Sequence, residues 1–548
     1  MTSSLDPPPA RAAGERLTNA PRLPPDPAFP IDRPVNDAGV FDVAIVGCGP
    51  VGALAANLAA KAGLSVLVID REATPHPLPR AVHLDHEMMR LFQVAGLADA
   101  IAPTMRETQG HLHVGADHGV IRYMGTAGQP KPFGWANDYF FYQPELEQHL
   151  RDGLARFAGV TRRMGVELAA FEQDDDGVTV QLSGVAGPET LRARWAIACD
   201  GARSHVRKLL GIALDDLDFE EPWLVVDAEV EGPVRFPDLW GVPDTADIQQ
   251  LSVMMCDPAR PATIVPGRGN IRRWEFMLLP GEDDAAMMRQ DRMAALVAPY
   301  IGAVPHRIVR ATTYRFHGLI ATRWREGRVF LAGDAAHQTP PFFGQGMCHG
   351  MRDVANLLWK LDLVVRGAAE PALLDSYQSE RDPHVRSVVT AAVEAGRYIC
   401  ELDVDKAAAR DAAMRERARN GATGTAADLI PAYRAGAIAA GTPGAGERFV
   451  QPWVDEAGTP RLLDAVTGGG WRLFVTGDRD IPDFGPLRVI TVAVEAIGDG
   501  GILAHWLASR NVVAVLVRPD SYVFGTAGED IAPLAQALRR ALSPGAAA

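Results

Sequence analysis

From residue 41 onward, short apolar runs alternate with stretches in which small apolar residues recur at helical spacing. The first group predicts a strand over residues 42–46, a glycine turn, a helix over 51–62, a break at Gly63-Leu64 and a second strand over 65–69. Such a unit implies parallel strands joined by a right-handed crossover, and hence an α/β layer architecture. Further runs over 195–199 and 329–332 end abruptly in Asp200-Gly201 and Gly333-Asp334. Both pairs then sit at carboxyl ends of strands, where open α/β sheets bind ligands. Between them, residues 221–310 alternate strand-like pieces with turns, as in Arg273-Trp274-Glu275-Phe276-Met277, and predict a separate sheet. A long helix follows over 346–366, an alanine-rich helical region over 405–440, and strands at 488–494 and 512–517 within a last unit.

Residues 1–38 carry prolines from Pro7 to Pro34 and little apolar periodicity, so they are expected to form a flexible arm. The expected layout is that arm, a main body over 39–400 with the inserted sheet, a helical connector over 401–445 and a closing unit over 446–548. At 548 residues the chain exceeds what one core supports. Its 47% hydrophobic and 22% charged content is that of a globular protein. A net charge of -14 argues against nucleic-acid and anionic-membrane partners. Cys48, Cys199, Cys256, Cys348 and Cys400 are scattered and form no Cys-x-x-Cys pair, which disfavours a disulfide framework or thiolate zinc site and fits a reducing cytoplasm. The N-terminus lacks the layout of a secretory signal, and no apolar run reaches membrane-spanning length.

The first motif with chemistry is Gly47-Cys48-Gly49-Pro50-Val51-Gly52, placed after a strand and opening a helix, with Asp70-Arg71 at the end of the next strand. Gly47 permits the tight turn, Gly49 lets a pyrophosphate approach the backbone, and Gly52 lets helix and strand pack closely. The helix start over Pro50 and Val51 supplies positive potential, and Asp70 can accept hydrogen bonds from an adenosine ribose. A glycine turn without ligand is the alternative, and the motif alone does not separate FAD from NAD.

Two later motifs do. Asp200-Gly201-Ala202-Arg203-Ser204 and Gly333-Asp334-Ala335-Ala336-His337-Gln338-Thr339-Pro340, taken with the first, resemble the three fingerprints of the flavoprotein aromatic hydroxylases, the class A FAD monooxygenases related to para-hydroxybenzoate hydroxylase and phenol hydroxylase. The resemblance implies that Asp334 holds the ribityl chain of FAD, with Gly333 at the turn, and that Asp200 lies near FAD and the passing pyridine nucleotide. After the third motif, Pro341-Phe342-Phe343-Gly344-Gln345-Gly346-Met347 leads into a helix through glycines that expose backbone N–H groups, an anion site. In the resembling class this helix start, through Gly344, Gly346 and Met347, faces the flavin pyrimidine edge, and the Pro341 carbonyl approaches the reacting position. Arg80 and Gln143 match positions that contact FAD, although isolated Arg and Gln side chains are usually exposed. Asp353, Asn356 and Lys360 continue the family pattern on that helix, where lone polar residues are more often exposed or structural.

The stretch from Cys256 to Glu282 resembles the 3-(3-hydroxyphenyl)propionate hydroxylase group within the class, and Val515-Leu516-Val517-Arg518-Pro519-Asp520 resembles the closing thioredoxin-like domain of the phenol hydroxylase branch. With no cysteine after Cys400, that domain cannot run dithiol chemistry and is expected to be a packing or dimer-forming unit. The expected fold is thus α/β: an FAD-binding Rossmann-like βαβ domain, an inserted mixed or antiparallel substrate sheet, and a thioredoxin-like C-terminal domain. The implied activity is ortho-hydroxylation of a phenolic aromatic acid, 3-(3-hydroxyphenyl)propionate to its 2,3-dihydroxy product, with tightly bound FAD, NADH or NADPH, and O2. Hydroxylation of another phenol or a polyketide ring, and a flavin oxidase or dehydrogenase that inserts no oxygen, stay open. No second strand-Gly-x-Gly-x-x-Gly-helix unit is present for the nicotinamide. His83 and His86 around Asp85, and His111 with His113, do not supply a zinc framework, so no metal is expected. Arg272 and Arg273 suit a substrate carboxylate, but also ordinary surface ion pairing.

Overall fold

The computed structural model describes residues 39–420 and 430–543; the Pro-rich arm expected over 1–38 lies outside the described residues. Strand β1 (Val40–Val46), helix α1 (Pro50–Lys61) and strand β2 (Val66–Asp70) follow the opening pattern, with β1 parallel to β2. Pro50 starts α1 because its fixed φ suits the first helical position and its missing N–H costs nothing there. On its other edge β1 pairs in parallel with Gly187–Ala198, which pairs in parallel with Val329–Leu331. The register aligns Val46 with Ile69 and Ala198, and Ala198 with Leu331. The three polar motifs therefore leave adjacent strand ends on one edge of the sheet.

The inserted sheet is larger than the expected 221–310. Its order is His337–Gln338, His306–Ala321, Leu214–Val230, Ile271–Met277, Ala262–Pro266, Ser252–Met255, Gly110–Val114, Val120–Gly125. It is mixed, because Ser252–Met255 runs parallel to Gly110–Val114 while the other pairings are antiparallel. Alternation sorts its faces. Leu112, Leu224, Val253, Ile264 and Trp274 enter a core closed by helix Gln290–Ile301. Their neighbours His111, Met254, Thr263 and Glu275 occupy the opposite face, from which Arg273 reaches the loop that carries Arg80.

The last unit has the order Val489–Ala493, Trp471–Val475, Ala514–Val517, Val523–Ala527, a parallel pair beside an antiparallel hairpin, with helices Ile502–Ala508 and Ala532–Leu542. One face of this sheet packs on Trp359 of the long helix Gly346–Val365. Beneath that contact lies a buried ionic network. Lys360 Nζ stands 3.0 Å from Glu380, Arg518 Nη2 stands 2.8 Å from Glu380, and Asn356 donates to Glu380 at 2.5 Å. A second link joins Arg90 to Asp464 at 2.7 Å. Asn356 and Lys360 are thus structural, with partners distant in sequence.

Of the alanine-rich region, Val404–Arg419 is a helix, whereas residues 430–446 run as turns. Gly436, Gly441, Gly444 and Gly446 hold φ between +76° and +94°, which a right-handed helix cannot include. Part of the region, residues 421–429, lies outside the described residues. All five cysteines are free, and among the described residues no helix is long and apolar enough to cross a membrane.

Candidate functional site

Three turns meet at the carboxyl edge of the parallel strands. Gly47 has φ +98°, and a Cβ there would stand 2.3 Å from the Cys199 carbonyl oxygen. A Cβ on Gly52 would come to 1.9 Å from the Gly47 carbonyl oxygen. Packing of the turn against the neighbouring strand therefore demands both glycines. Gly49 differs, for nothing lies within 4 Å of the place its Cβ would take. It opens α1, which has no side-chain cap and no acidic residue in its first turn, so the helix start keeps its positive potential. This open, electropositive wall fits the diphosphate of FAD.

Asp70 organises the same turn. Its Oδ2 accepts the Cys48 N–H at 2.5 Å and its Oδ1 the Glu72 N–H at 2.7 Å. Arg151 stands 3.4 Å from Oδ2 and donates its Nε–H to the Cys48 carbonyl at 2.9 Å. Sequence reasoning missed Arg151, although a signal existed. Gln143, Glu147 and Arg151 recur every four residues on helix Gln143–Gly153 and are all buried, a polar stripe where an amphipathic helix carries apolar residues. Burial pushes the Cys48 thiol up to about 12, so it packs as a neutral group. Arg71 lies outside this arrangement, with a 72% exposed side chain beside Glu72.

Gln143 does more than a surface residue would. Its Oε1 accepts the N–H groups of both Arg80 and Ala81, at 2.8 and 2.7 Å, and its Nε2 donates to Glu147 at 2.6 Å. From the other side, Arg273 donates to the carbonyls of Arg80 at 2.6 Å and Pro79 at 2.9 Å while its Nε–H meets Asp227 at 2.7 Å. Arg273 is therefore buried and committed to Asp227 and this loop, neither a surface ion pair nor a guanidinium available to a substrate. Arg272 belongs to the opposite face of its strand, buried, with Nε and Nη1 unpartnered. The Arg80 side chain itself is exposed.

In the second turn, Asp200 Oδ2 accepts the N–H groups of His205 and Val206 at 2.7 and 3.1 Å, while Oδ1 is buried without a partner. One oxygen caps the short helix His205–Leu209, and the other keeps its hydrogen-bonding capacity. Arg207 ties this turn to the third, donating to the carbonyls of Ala335 at 2.8 Å and Ala202 at 3.0 Å. In the third turn Gly333, at φ +61°, donates its N–H to Asp353 Oδ2 at 3.0 Å. Asp353 also meets His337 at 2.6 Å and Arg381 at 2.9 Å, so its role is to anchor the turn. Asp334 is the exposed member of an otherwise buried run from Leu331 to His337. Desolvation holds its carboxyl above the ordinary range, with His337 and Arg80 pulling the other way. The side chain is thus accessible at the strand ends yet crowded by protein.

Pro341 opens a single 3₁₀ turn, Pro341–Phe343, and its carbonyl accepts the Gly344 N–H at 2.8 Å, which fixes that carbonyl's direction. Gly344, at φ +63°, backs onto His83, whose Nδ1 a Cβ would approach to 2.5 Å. Helix Gly346–Val365 then starts without a side-chain cap or an acid in its first turn. Nothing stands closer than 3.9 Å to a Cβ on Gly346, and Met347 beside it is half-buried. A second unopposed helix start therefore follows the third turn.

The histidines regroup relative to their sequence pairs. His83 meets Asp138 at 2.9 Å, and the His111 ring lies 5.2 Å from that of His83. One ring nitrogen each of His83 and His111 and a carboxylate oxygen of Asp138 all fall within 4.8 Å of one another. Burial would lower His83, but the Asp138 bond holds it above its ordinary value. Burial, with His83 nearby, lowers His111 to about 4.

A family model described as an FAD binding domain matches residues 40–392. A protein of Rhodococcus jostii (strain RHA1) named a probable NADH-specific resorcinol 4-hydroxylase is 36% identical over 525 residues, covering 92% of this chain and 95% of that protein. The 3-(3-hydroxy-phenyl)propionate/3-hydroxycinnamic acid hydroxylase of Burkholderia cenocepacia (strain HI2424) is 37% identical over 525 residues, covering 89% and 94%. The crystal structure of aklavinone-11 hydroxylase with FAD and aklavinone superposes with a TM-score of 0.72 at 27% identity, covering 92% of this chain and 99% of that one.

Proposed function

The chain belongs to the FAD-binding-domain family, and from that premise we propose that it is an FAD- and NAD(P)H-dependent monooxygenase that hydroxylates a phenolic ring ortho to its hydroxyl. One observation carries the reading: three polar turns leave adjacent parallel strand ends, with the Gly49 backbone bare in the first and Asp334 exposed in the third. The Gly47–Gly52 turn with Pro50 and Val51, together with Asp70, would take the adenosine diphosphate half of FAD. Asp200, Asp334, Arg80 and the loop fixed by Gln143 would take the ribityl part, and Gly344, Gly346 and Met347 the flavin ring. When bound, FAD accepts hydride from NAD(P)H and delivers one atom of dioxygen to the ring.

The chain itself supplies placement and dryness. Phe219, Trp223, Phe316 and Phe342 form an aromatic cluster with ring centroids 5.9–6.4 Å apart, directly after Pro341. An apolar wall there excludes water from the place where the phenol would lie. The proposed substrate is 3-(3-hydroxyphenyl)propionate, following the name of the Burkholderia relative; the Rhodococcus relative's name favours resorcinol as a second reading. The last unit is read as a thioredoxin-like packing domain, supported by its strand order and by the lack of cysteine after Cys400.

The purified protein is expected to be yellow and to oxidise NADH faster when the phenol is added, with one labelled oxygen from dioxygen entering the ring of the matched diol. Stimulated NADH oxidation with no label in the product would replace this reading by a flavin oxidase. Asp334→Ala is expected to fold but to lose most of its bound FAD, read from the visible spectrum after gel filtration; a fully flavinylated, active variant would remove Asp334 from the cofactor site.

A further inference from the structure

On the face of the inserted sheet turned toward the FAD loops, three of the four arginines are already committed, Arg307 to Glu229 at its outer end. Arg273 and Arg310 both pair with Asp227, and both donate to the Pro79 carbonyl. The fourth is Arg122. Register places it opposite His113, so both side chains lie on that same face, one row from His111. Its guanidinium stands 5.8 Å from the centre of the Phe343 ring, in the turn that Pro341 begins. Its charge acts on Tyr398, whose hydroxyl lies 2.8 Å from His113 Nδ1. None of the ion pairs among the described residues includes Arg122; the nearby Asp117 is taken by Arg415.

We propose that Arg122 anchors the carboxylate of the phenolic substrate, and that this contact selects a phenolic acid over a neutral phenol. The inference rests on the hydroxylase reading and assigns the choice between its two candidate substrates to one residue. An Arg fork matches a carboxylate geometrically, and a half-buried guanidinium without a carboxylate of its own gains most from one. The surroundings suit an anion. His113 is fully buried with Nε2 unpartnered, and His111 is 6% exposed with Nδ1 unpartnered. Both imidazoles are held below their ordinary value by burial, with the Arg122 charge acting in the same direction on each. They are neutral near pH 7, can donate an N–H, and add no competing charge.

The test uses the flavinylated enzyme and reads binding without turnover. The Kd values of 3-phenylpropionate, which has no phenol hydroxyl, and of resorcinol are measured from the perturbation of the flavin visible spectrum, in wild type, Arg122→Gln and Arg122→Lys. The wild-type preference for the carboxylated ligand is expected to fall on the order of 100-fold in Arg122→Gln and by less in Arg122→Lys. Bound-FAD content and melting temperature identify any variant that is merely misfolded, and the Lys variant keeps the question open to an answer in that case. Equal weakening of both ligands, no weakening, or a wild type that binds resorcinol but no carboxylate would each overturn the anchor; so would a change in NADH KM without a change in phenylpropionate Kd. The hydroxylase reading fails separately, on the absence of ring-incorporated label with every phenol tried.

Discussion

Gly49→Ala is expected to leave the apoprotein as stable as wild type and to strip it of FAD, whereas Gly52→Ala should fail on both counts. The two positions lie three residues apart in one motif, yet their missing side chains face different things. Gly49 sits at φ -71° and ψ -171°, an extended backbone that alanine adopts freely, and nothing of the protein lies within 4 Å of the added methyl. The cost falls entirely on a ligand whose diphosphate must approach that backbone. At Gly52 the methyl would stand 1.9 Å from a backbone carbonyl oxygen and 3.1 Å from Cys199 Cβ, so the helix must move off its strand. Overpacking of this kind costs about 1–3 kcal/mol or more, and it displaces the turn as well. Thermal melts of the flavin-free proteins, paired with FAD titration followed by fluorescence quenching, separate the two outcomes. A Gly49→Ala protein that binds FAD as tightly as wild type would show that no diphosphate lies along that turn.

What could be read from the sequence was what is local in it. Gly47, Gly49 and Gly52 declare a phosphate turn because strand, turn and helix lie within about thirty residues, and Asp200 and Asp334 follow apolar runs that end abruptly. Contacts that depend on register or on distant partners could not be read. His83, His111 and Asp138 come from strands that only the folded sheets bring together, so neither adjacent pair, His83 with His86 or His111 with His113, announces the group. Arg273 sits in a strand of ordinary alternation, and nothing local announces that Asp227, on the neighbouring strand, neutralises it. The inserted sheet reached beyond 221–310 for the same reason: Gly110–Val114 and Val120–Gly125 join its edge from far upstream. Arg122, the residue assigned to substrate selection, lies on that late-joining edge.

Glu380→Gln should loosen the last unit from the body of the protein more than any single change on its surface. Glu380 is buried between the helix Gly346–Val365 and the last unit, where Lys360 and Arg518 both face it and Ala437 donates its N–H to Oε1 at 2.7 Å. Burial alone would raise its pKa, but Arg518 and Lys360 outweigh that and hold it down at about 2, against an ordinary 4.5. The amide keeps the shape and removes the charge, leaving two buried cations with Asp520 as their remaining carboxylate. Breaking a buried pair from one side costs about 3–5 kcal/mol, because the surviving charge stays desolvated. The same geometry sets an acid limit. A carboxylate whose folded pKa is depressed contributes its full stability above the unfolded value near 4.5, and that contribution drains as pH falls toward 2. Asp464, buried between Arg90 and Arg472 and likewise held at about 2, adds a second contribution in the same window at the same junction. Urea denaturation of wild type at pH 7, 5, 4 and 3 should show the unfolding midpoint steady down to about 5 and falling below it. Glu380→Gln should start lower at pH 7 and fall less steeply. A variant with wild-type stability at pH 7, or one with an undiminished acid slope, would mean that the network does not hold the last unit in place.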